Sequence, residues 1–156
     1  MASGKSTIGP LLGARLGRDF VDNDAVLKAR TGQSAREIAS AEGVDALHRH
    51  EADALVGALA EPVPAVIAAA AAAPMEADGA AAMHGSFVVY LRAAPEVLAG
   101  RLAGAPVRDD HRPAVGSIAR QFDARDARYR ELASLVVDTT GLAPDEIVAE
   151  ISAALA

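Results

Sequence analysis

Two types of hydrophobic pattern alternate along the chain. Short, mostly apolar runs have the length of strands that are covered on both faces of a sheet. These runs occupy residues 19–22, 65–69, 87–91 and 135–138. Longer stretches carry apolar residues at the spacing of one helix face, at residues 7–16, 44–59, 95–102, 117–133 and 144–155. Strands that alternate with helices in this way predict an α/β fold whose parallel sheet is covered by helices on both faces.

Local signals mark where some helices begin and where regular structure is interrupted. Ser34 and Glu37 have the spacing of a capping box, which predicts that a helix begins at this serine. Pro95 suits the first turn of a helix, because its fixed φ and its missing N–H are tolerated there. Residues 104–116 are polar, charged and contain proline, so we interpret them as a mobile loop.

The composition favours one domain with a core of small side chains. A chain of 156 residues can bury a core but is short for two catalytic domains. Hydrophobic residues make up 51% of the sequence and aromatic residues only 3%, and many apolar positions are alanine. Because no repeat or linker-like segment divides the chain, we expect a single domain over residues 1–156.

Charge and cysteine content exclude several classes of partner and site. A net charge of −6 gives no field that attracts phosphate backbones or anionic lipid, so nucleic acid and membrane surfaces are poor partners. The absence of cysteine excludes disulfides and thiolate metal sites. The longest apolar run, residues 65–73, is shorter than the roughly 20 residues that span a bilayer, and no secretory signal is present. These features predict a cytoplasmic protein.

The first residues match the end of a phosphate-binding loop. The complete motif is G-x-x-x-x-G-K-[ST], in which backbone N–H groups surround the phosphates, lysine reaches the β- and γ-phosphates, and the hydroxyl binds Mg²⁺. Gly4, Lys5 and Ser6 supply its last three positions. The predicted helix that follows directs the positive end of its dipole at the same phosphates. The first glycine of the motif, and the strand that leads into such a loop, would precede the first residue, so we expect an incomplete loop and a missing first strand.

An acidic triplet, Asp22-Asn23-Asp24, follows the first predicted strand. Ligands of open α/β sheets bind at the carboxyl ends of the strands, so carboxylates at this position indicate an active site. A carboxylate there can orient a hydroxyl group for attack on a phosphoryl group and accept its proton. The alternative is that Asp24 caps the next helix.

His48, His50 and Glu51 on one predicted helix raise the question of a metal site. Residues two apart do not share a helix face, and neither a His-Glu-x-x-His pattern nor a cysteine is present. We therefore reject a zinc site.

The order and spacing of several short motifs resemble the shikimate kinase family over essentially the whole chain. The matching segments are Ser3-Gly4-Lys5-Ser6-Thr7-Ile8-Gly9, Phe20-x-Asp22-x-Asp24, Arg30-Thr31-Gly32, Glu42-Gly43, Arg49 with Glu51, Val88 to Leu91, Arg112-Pro113, Arg125 with Tyr129, and Val137-Asp138-Thr139 before Pro144. The resemblance implies a P-loop kinase fold, a three-layer α/β sandwich around a five-stranded parallel sheet whose first, central strand is missing from this sequence. It further implies a monomer that phosphorylates shikimate to shikimate 3-phosphate with ATP and Mg²⁺.

The resemblance also assigns roles on the nucleotide side. Lys5 would bind the β- and γ-phosphates, and Ser6 would bind Mg²⁺ with support from Asp22. The loop residues that would contact the nucleotide are Ser3, Gly4, Lys5, Ser6 and Thr7.

On the acceptor side, Asp24 would be the catalytic carboxylate that holds the acceptor hydroxyl. Arg125 would bind the acceptor carboxylate, and Arg112, in a lid loop over about residues 104–116, would be a catalytic residue that also contacts the nucleotide. Guanidinium groups suit both tasks because their geometry is fixed and their charge is permanent. The alternative for Arg125 is an exposed helix face, since other arginines lie on the same predicted helix.

Two departures from the family pattern concern the acceptor. His48 occupies the position of a second carboxylate-binding arginine, and imidazole cannot make the same bidentate contact. Alanines at 69–72 replace a three-glycine turn, at a backbone cost of roughly 1 kcal/mol or more for each alanine that must take a positive φ. Two alternatives therefore stay open beside a shikimate kinase: a nucleotide-binding protein without phosphotransfer, and a P-loop kinase with another acceptor such as gluconate.

Overall fold

The computed structural model describes residues 2–104 and 115–156. The helices are α1 Lys5–Leu16, α2 Asn23–Thr31, α3 Ala35–Glu42, α4 Val44–Leu59, α5 Ala77–Ala82, α6 Pro95–Gly104, α7 Val115–Leu132 and α8 Pro144–Ala154. The strands are β1 Phe20–Asp22, β2 Val66–Ala68, β3 Val89–Arg92 and β4 Leu135–Asp138, and a short 3-10 helix spans Ala73–Met75. Each of the four apolar runs that predicted strands therefore overlaps one, although β3 ends at Arg92, one residue beyond its run.

The chain divides into two compact units, each with one pair of parallel strands. We call residues 6–86 the N-terminal unit and residues 1–5 with 87–156 the C-terminal unit. β1 pairs with β2 in the first, and β3 pairs with β4 in the second. The parallel pairing is confirmed, but the strands form two pairs rather than the single sheet expected from the alternation. The resemblance implies a sheet whose first, central strand is missing from this sequence, and the described residues before α1 contain no strand.

The N-terminal unit packs α1 against β1 through glycine. A Cβ atom at Gly9 would overlap the ring of Phe20, so the close approach of the helix requires a residue without a side chain. This contact explains the glycine that follows the phosphate-loop motif by three residues.

Small side chains fill the interior of the N-terminal unit, as the composition predicts. Ile38 and Leu27, of α3 and α2, are buried against Ala54 of α4. A second buried cluster joins Leu55 to Ala70 and Ala73. Burial of a leucine or isoleucine side chain contributes roughly 1.5–3 kcal/mol, so these few large residues dominate a core otherwise made of alanine.

The C-terminal unit places a helix on its strand pair. β3 and β4 are in register from Val89 opposite Leu135 to Arg92 opposite Asp138. α8 buries one face, consisting of Ile147, Val148 and Ile151. α6 begins at Pro95, which confirms the prediction from the proline.

Some element boundaries differ from expectation. The sequence pattern did not predict α2, α5 or the 3-10 helix. The N-cap of α2 is Asp22, whereas Asp24 lies in its first turn, so the alternative interpretation of Asp24 as the cap was wrong. α6 extends to Gly104 and α7 begins at Val115, so most of the predicted loop over residues 104–116 lies outside the described residues.

Candidate active site

The end of the phosphate loop has the backbone that its glycine predicts. Gly4 has a φ of 100°, a conformation that a residue with a side chain rarely adopts. α1 begins at the next residue, Lys5, and its first turn contains no acidic side chain that would neutralise the positive end of the helix dipole. Ser6 and Thr7 are exposed in that turn. Backbone N–H groups at such a terminus can donate hydrogen bonds to an anionic ligand such as a phosphate.

The acidic triplet lies at the junction of β1 and α2. The Asp22 Oδ1 atom accepts a hydrogen bond from the Asp24 backbone N–H at 2.9 Å. This bond caps the helix and leaves the second carboxylate oxygen of Asp22 for another ligand. Asp24 is exposed in the first turn, where its negative charge is favoured by the helix dipole.

The middle residue of the triplet, Asn23, was not singled out from the sequence. Its side chain is fully buried, and its Nδ2 donates a hydrogen bond to the backbone oxygen of Glu51 on α4 at 3.0 Å. Its Oδ1 has no hydrogen-bond partner in the described part of the chain. The contact ties the acidic triplet to α4. The sequence offered one signal for Asn23, namely a polar residue between two candidate site residues. The direction of its side chain toward α4 depends on the tertiary fold and is not specified by the local sequence.

His48 lies on α4, one turn before Glu51, and is half-buried. α2 and α4 contact each other in the N-terminal unit. The helices that carry Asp24 and His48 therefore pack against each other.

The turn after β2 does not carry the strain expected from its alanines. Among residues 2–104 and 115–156, the one residue other than glycine with a positive φ is Ala2. The alanines at 69–72 therefore take ordinary backbone conformations, and Ala72 has φ −87° and ψ −25°. The expected cost of roughly 1 kcal/mol per alanine was wrong, because this turn does not use the conformation that makes glycine necessary.

In the C-terminal unit, Arg125 is half-buried on α7, beside a carboxylate that accepts three hydrogen bonds. Asp126 Oδ1 accepts from Tyr90 Oη and from Arg92 Nε, both at 3.0 Å. Asp126 Oδ2 accepts from Arg130 Nε at 2.8 Å. We call these four residues, Tyr90, Arg92, Asp126 and Arg130, the Asp126 cluster.

Contacts within the Asp126 cluster shift the pKa values of Asp126 and Tyr90. Burial opposes ionisation of Asp126, but the hydrogen bonds donated by Arg130, Arg92 and Tyr90 outweigh it and hold the pKa of this carboxyl below its ordinary value. Burial raises the pKa of the Tyr90 phenol, and the hydrogen bond to Asp126 and the negative charge of the Asp126 carboxylate raise it further. Asp126 is therefore ionised and Tyr90 protonated at neutral pH.

A second contact, which the sequence did not predict, joins α6 to the end of β4. Arg101 donates to Thr139 through Nη1 to Oγ1 at 3.0 Å and through Nη2 to the backbone oxygen at 2.7 Å. Thr139 is buried, and its hydroxyl donates in turn to the backbone oxygen of Arg92 at 3.1 Å. Thr139, which follows β4, thereby links the end of β3 to α6.

The residues proposed for Mg²⁺ carry suitable ligand atoms. Ser6 offers a hydroxyl and Asp22 a carboxylate oxygen, and Mg²⁺ takes oxygen ligands while retaining positions for water and phosphate. In the described part of the chain, no group of three or more His, Cys, Asp or Glu side chains could hold a metal ion. Arg112, the predicted lid arginine, lies outside the described residues.

Each helix in the described part of the chain is too short or too polar to span a bilayer.

Comparison with known proteins gives one consistent result. The family model described as shikimate kinase matches residues 1–156. A shikimate kinase from Pseudomonas syringae pv. tomato is 35% identical, in an alignment covering 100% of this chain and 92% of the relative. A shikimate kinase from Symbiobacterium thermophilum is 33% identical, with 97% of this chain and 89% of the relative covered.

Solved structures agree in fold. The shikimate kinase from Acinetobacter baumannii in complex with shikimate superposes with a TM-score of 0.88 at 26% identity, covering 99% of this chain and 88% of that chain. The shikimate kinase from Bacteroides thetaiotaomicron gives a TM-score of 0.86 at 22% identity, covering 99% and 93%. The predicted α/β P-loop kinase fold is confirmed.

Proposed function

The chain belongs to the shikimate kinase family, and we propose that it transfers the γ-phosphoryl group of ATP to a hydroxyl group of shikimate, giving shikimate 3-phosphate. The observation that carries this proposal is the family match over the entire chain. It is supported by Gly4, whose φ is 100° and which directly precedes the start of α1 at Lys5. Kinases of the P-loop class work mainly by positioning their substrates and stabilising charge.

We assign the nucleotide side of the reaction to the start of α1. Lys5 neutralises charge on the β- and γ-phosphates, and the N–H groups of the first helical turn bind phosphate oxygens. Ser6 and Asp22 would hold Mg²⁺, which supplies charge neutralisation at the phosphates when it is bound. The contacts of Ser3 and Thr7 with the nucleotide, and the approach of Arg112, stay predictions.

We assign acceptor roles to three residues, Asp24, Arg125 and His48. Asp24 orients the attacking hydroxyl and accepts its proton, since its carboxylate is exposed at the start of α2. Arg125 binds the acceptor carboxylate through its guanidinium. His48 contacts the same carboxylate more weakly than an arginine would. A monomeric state and a cytoplasmic location stay predictions.

ADP release measured with a coupled assay tests this function. The purified chain is supplied with ATP, Mg²⁺ and either shikimate or gluconate, and the product is identified by mass. We expect shikimate to stimulate ADP release and gluconate to have little effect. The Lys5→Met variant should be slower by at least about 100-fold, because removal of one preorganised charge at the phosphates has effects of this order.

Three other results are informative. ATP binding without acceptor-stimulated turnover would show a nucleotide-binding protein that has lost phosphotransfer. A strong preference for gluconate would show a kinase with a different acceptor. Full activity of Lys5→Met would contradict the assignment of the phosphate loop.

A further inference from the structure

The Asp126 cluster lies where α7 packs on β3. Tyr90 and Arg92 are two residues apart on β3, so their side chains project from the same face of the strand. Both donate to a single carboxylate oxygen, Asp126 Oδ1, at 3.0 Å. Only 19% of the Asp126 side chain is exposed, which favours well-defined geometry over a solvated surface pair.

Two aromatic residues of α7 contact the same face of β3. The guanidinium carbon of Arg92 lies 5.0 Å from the centre of the Phe122 ring. The Tyr129 ring meets the Tyr90 ring edge to face, with 5.1 Å between the ring centres. Phe122 and Tyr129 are seven residues apart, close to two full helical turns, so they form one row along the helix that faces β3.

Arg125 and Asp126 flank this aromatic row on opposite sides. Consecutive helical residues are about 100° apart, so adjacent side chains cannot share one direction. Asp126 is held on its side of the row by three donors from β3 and α7. Within the described part of the chain, no hydrogen bond or ion pair engages the Arg125 guanidinium. A rotation of α7 about its axis would break the hydrogen bonds that Asp126 accepts from β3, and the same rotation would displace Arg125.

We propose that Asp126 is a positioning residue, which fixes the rotation of α7 on β3 and thereby sets the Arg125 guanidinium for the carboxylate of the acceptor. The inference rests on the proposed function, in which Arg125 binds that carboxylate. Asp126 itself contacts neither substrate nor nucleotide. Its effect is exerted on acceptor affinity through the neighbouring residue.

A purely stabilising role is the alternative, because a carboxylate with three donors also contributes to the free energy of unfolding. The two roles differ in what they change. A stabilising residue changes the melting temperature and the active fraction, which lowers kcat equally for all substrates. A positioning residue raises the KM for the one substrate that its neighbour binds.

Steady-state kinetics of Asp126→Asn separates these roles. We expect the KM for shikimate to rise about tenfold, since small displacements of a binding group cost one to two orders of magnitude. The KM for ATP and kcat should stay within about twofold of the wild type, because α1 is not changed. Tyr90→Phe removes one of the two donors to Oδ1 and should raise the KM for shikimate in the same direction by less.

Glu131→Gln is the matched control. Glu131 pairs with Arg128 at 2.8 Å on the same helix, but 68% of its side chain is exposed and the pair does not reach β3. We expect no change in either KM. The same measurement on Arg125→Ala and on the double variant Arg125→Ala/Asp126→Asn closes a double-mutant cycle. If Asp126 acts through Arg125, adding Asp126→Asn to Arg125→Ala should not raise the KM for shikimate further.

Each other result overturns the inference. An unchanged KM for shikimate in Asp126→Asn contradicts it, as does an equal rise in the Arg125→Ala background, because the effect would then not pass through Arg125. A fall in kcat and melting temperature with both KM values unchanged shows a stabilising role only. A wild-type chain without turnover of shikimate contradicts the proposed function as well, whereas an active wild type with an unaffected Asp126→Asn variant contradicts this inference alone.

Discussion

At the scale of single residues, His48 is the most informative departure from the family pattern. It is half-buried on α4, one turn from Glu51, whose backbone oxygen is bound by Asn23 of the acidic triplet. The family resemblance places an arginine at this position. Arginine carries a permanent charge and two parallel donors for a carboxylate, and imidazole has neither property.

The His48→Arg variant should therefore bind shikimate more tightly. We expect the KM for shikimate to fall by about tenfold, because a charge-assisted hydrogen bond contributes roughly 1.5–3 kcal/mol in a shielded site. The KM for ATP should not change. His50→Arg is the control, since His50 lies two residues further on, points away from that face and contacts Glu42 at 3.3 Å. A KM for shikimate that stays constant or rises in His48→Arg would show that position 48 does not contact the acceptor carboxylate.

At the scale of elements, most helices were predicted from a capping signal or from apolar periodicity, but α2, which Asp22 caps, and α5 were missed. The Ser34–Glu37 capping box is formed in both directions, with the Glu37 N–H donating to Ser34 Oγ and the Ser34 N–H donating to Glu37 Oε2. α5 has the sequence ADGAAA, in which small residues give no contrast between a buried and an exposed face. Its existence depends on packing against α4, which local sequence does not encode.

Removal of the cap tests how much α3 depends on this local signal. Ser34→Ala should lower the free energy of unfolding by about 1 kcal/mol, because an N–H group at the start of α3 loses its partner. Chemical denaturation measures the change as a lower midpoint at an unchanged slope. Ser40→Ala, at an exposed position in the same helix, should leave the midpoint nearly unchanged. Equal midpoints for Ser34→Ala and the wild type would mean that tertiary contacts alone hold α3.

At the scale of the whole molecule, folding links ionisation to stability. The pKa of Asp126 lies below its ordinary value in the folded state, because the hydrogen bonds from Arg130, Arg92 and Tyr90 outweigh the effect of burial. A carboxyl group of this kind stabilises the fold above its unfolded pKa, and that stabilisation is lost as the pH falls through the folded pKa. Acid unfolding of the chain should therefore depend on Asp126.

Thermal melts between pH 7 and pH 3 test this dependence. The wild type should melt at a higher temperature than Asp126→Asn at pH 7. The difference should begin to narrow near pH 4, where aspartate becomes protonated in unfolded chains, and should close as the pH falls through the lower pKa of folded Asp126. Asp123→Asn, an exposed position on the same helix, should follow the wild type at every pH. A difference between wild type and Asp126→Asn that stays constant down to pH 3 would exclude ionisation of Asp126 as its cause.

Features that depend on local physical chemistry can be predicted from the sequence alone. Apolar runs of strand length predicted β1 to β4, proline and the capping box marked two helix starts, and Gly4 with Lys5 indicated the phosphate loop whose glycine has a φ of 100°. Each of these signals lies within a few residues, so steric limits on φ and the orphan N–H groups of a helix start make it readable. The ordered motifs, taken together, then indicated the family that the whole-chain comparison confirmed.

Contacts between polar groups that are distant in the sequence depend on the tertiary fold. The hydrogen bonds from Asn23 to Glu51, from Arg92 to Asp126 and from Arg101 to Thr139 span 28, 34 and 38 residues. No local pattern specifies such pairs, because they depend on how each helix is rotated on its neighbours. The backbone of the turn at residues 69–72 was likewise not readable from the sequence. Its alanines have a negative φ, although the three-glycine turn of the family suggested a positive one.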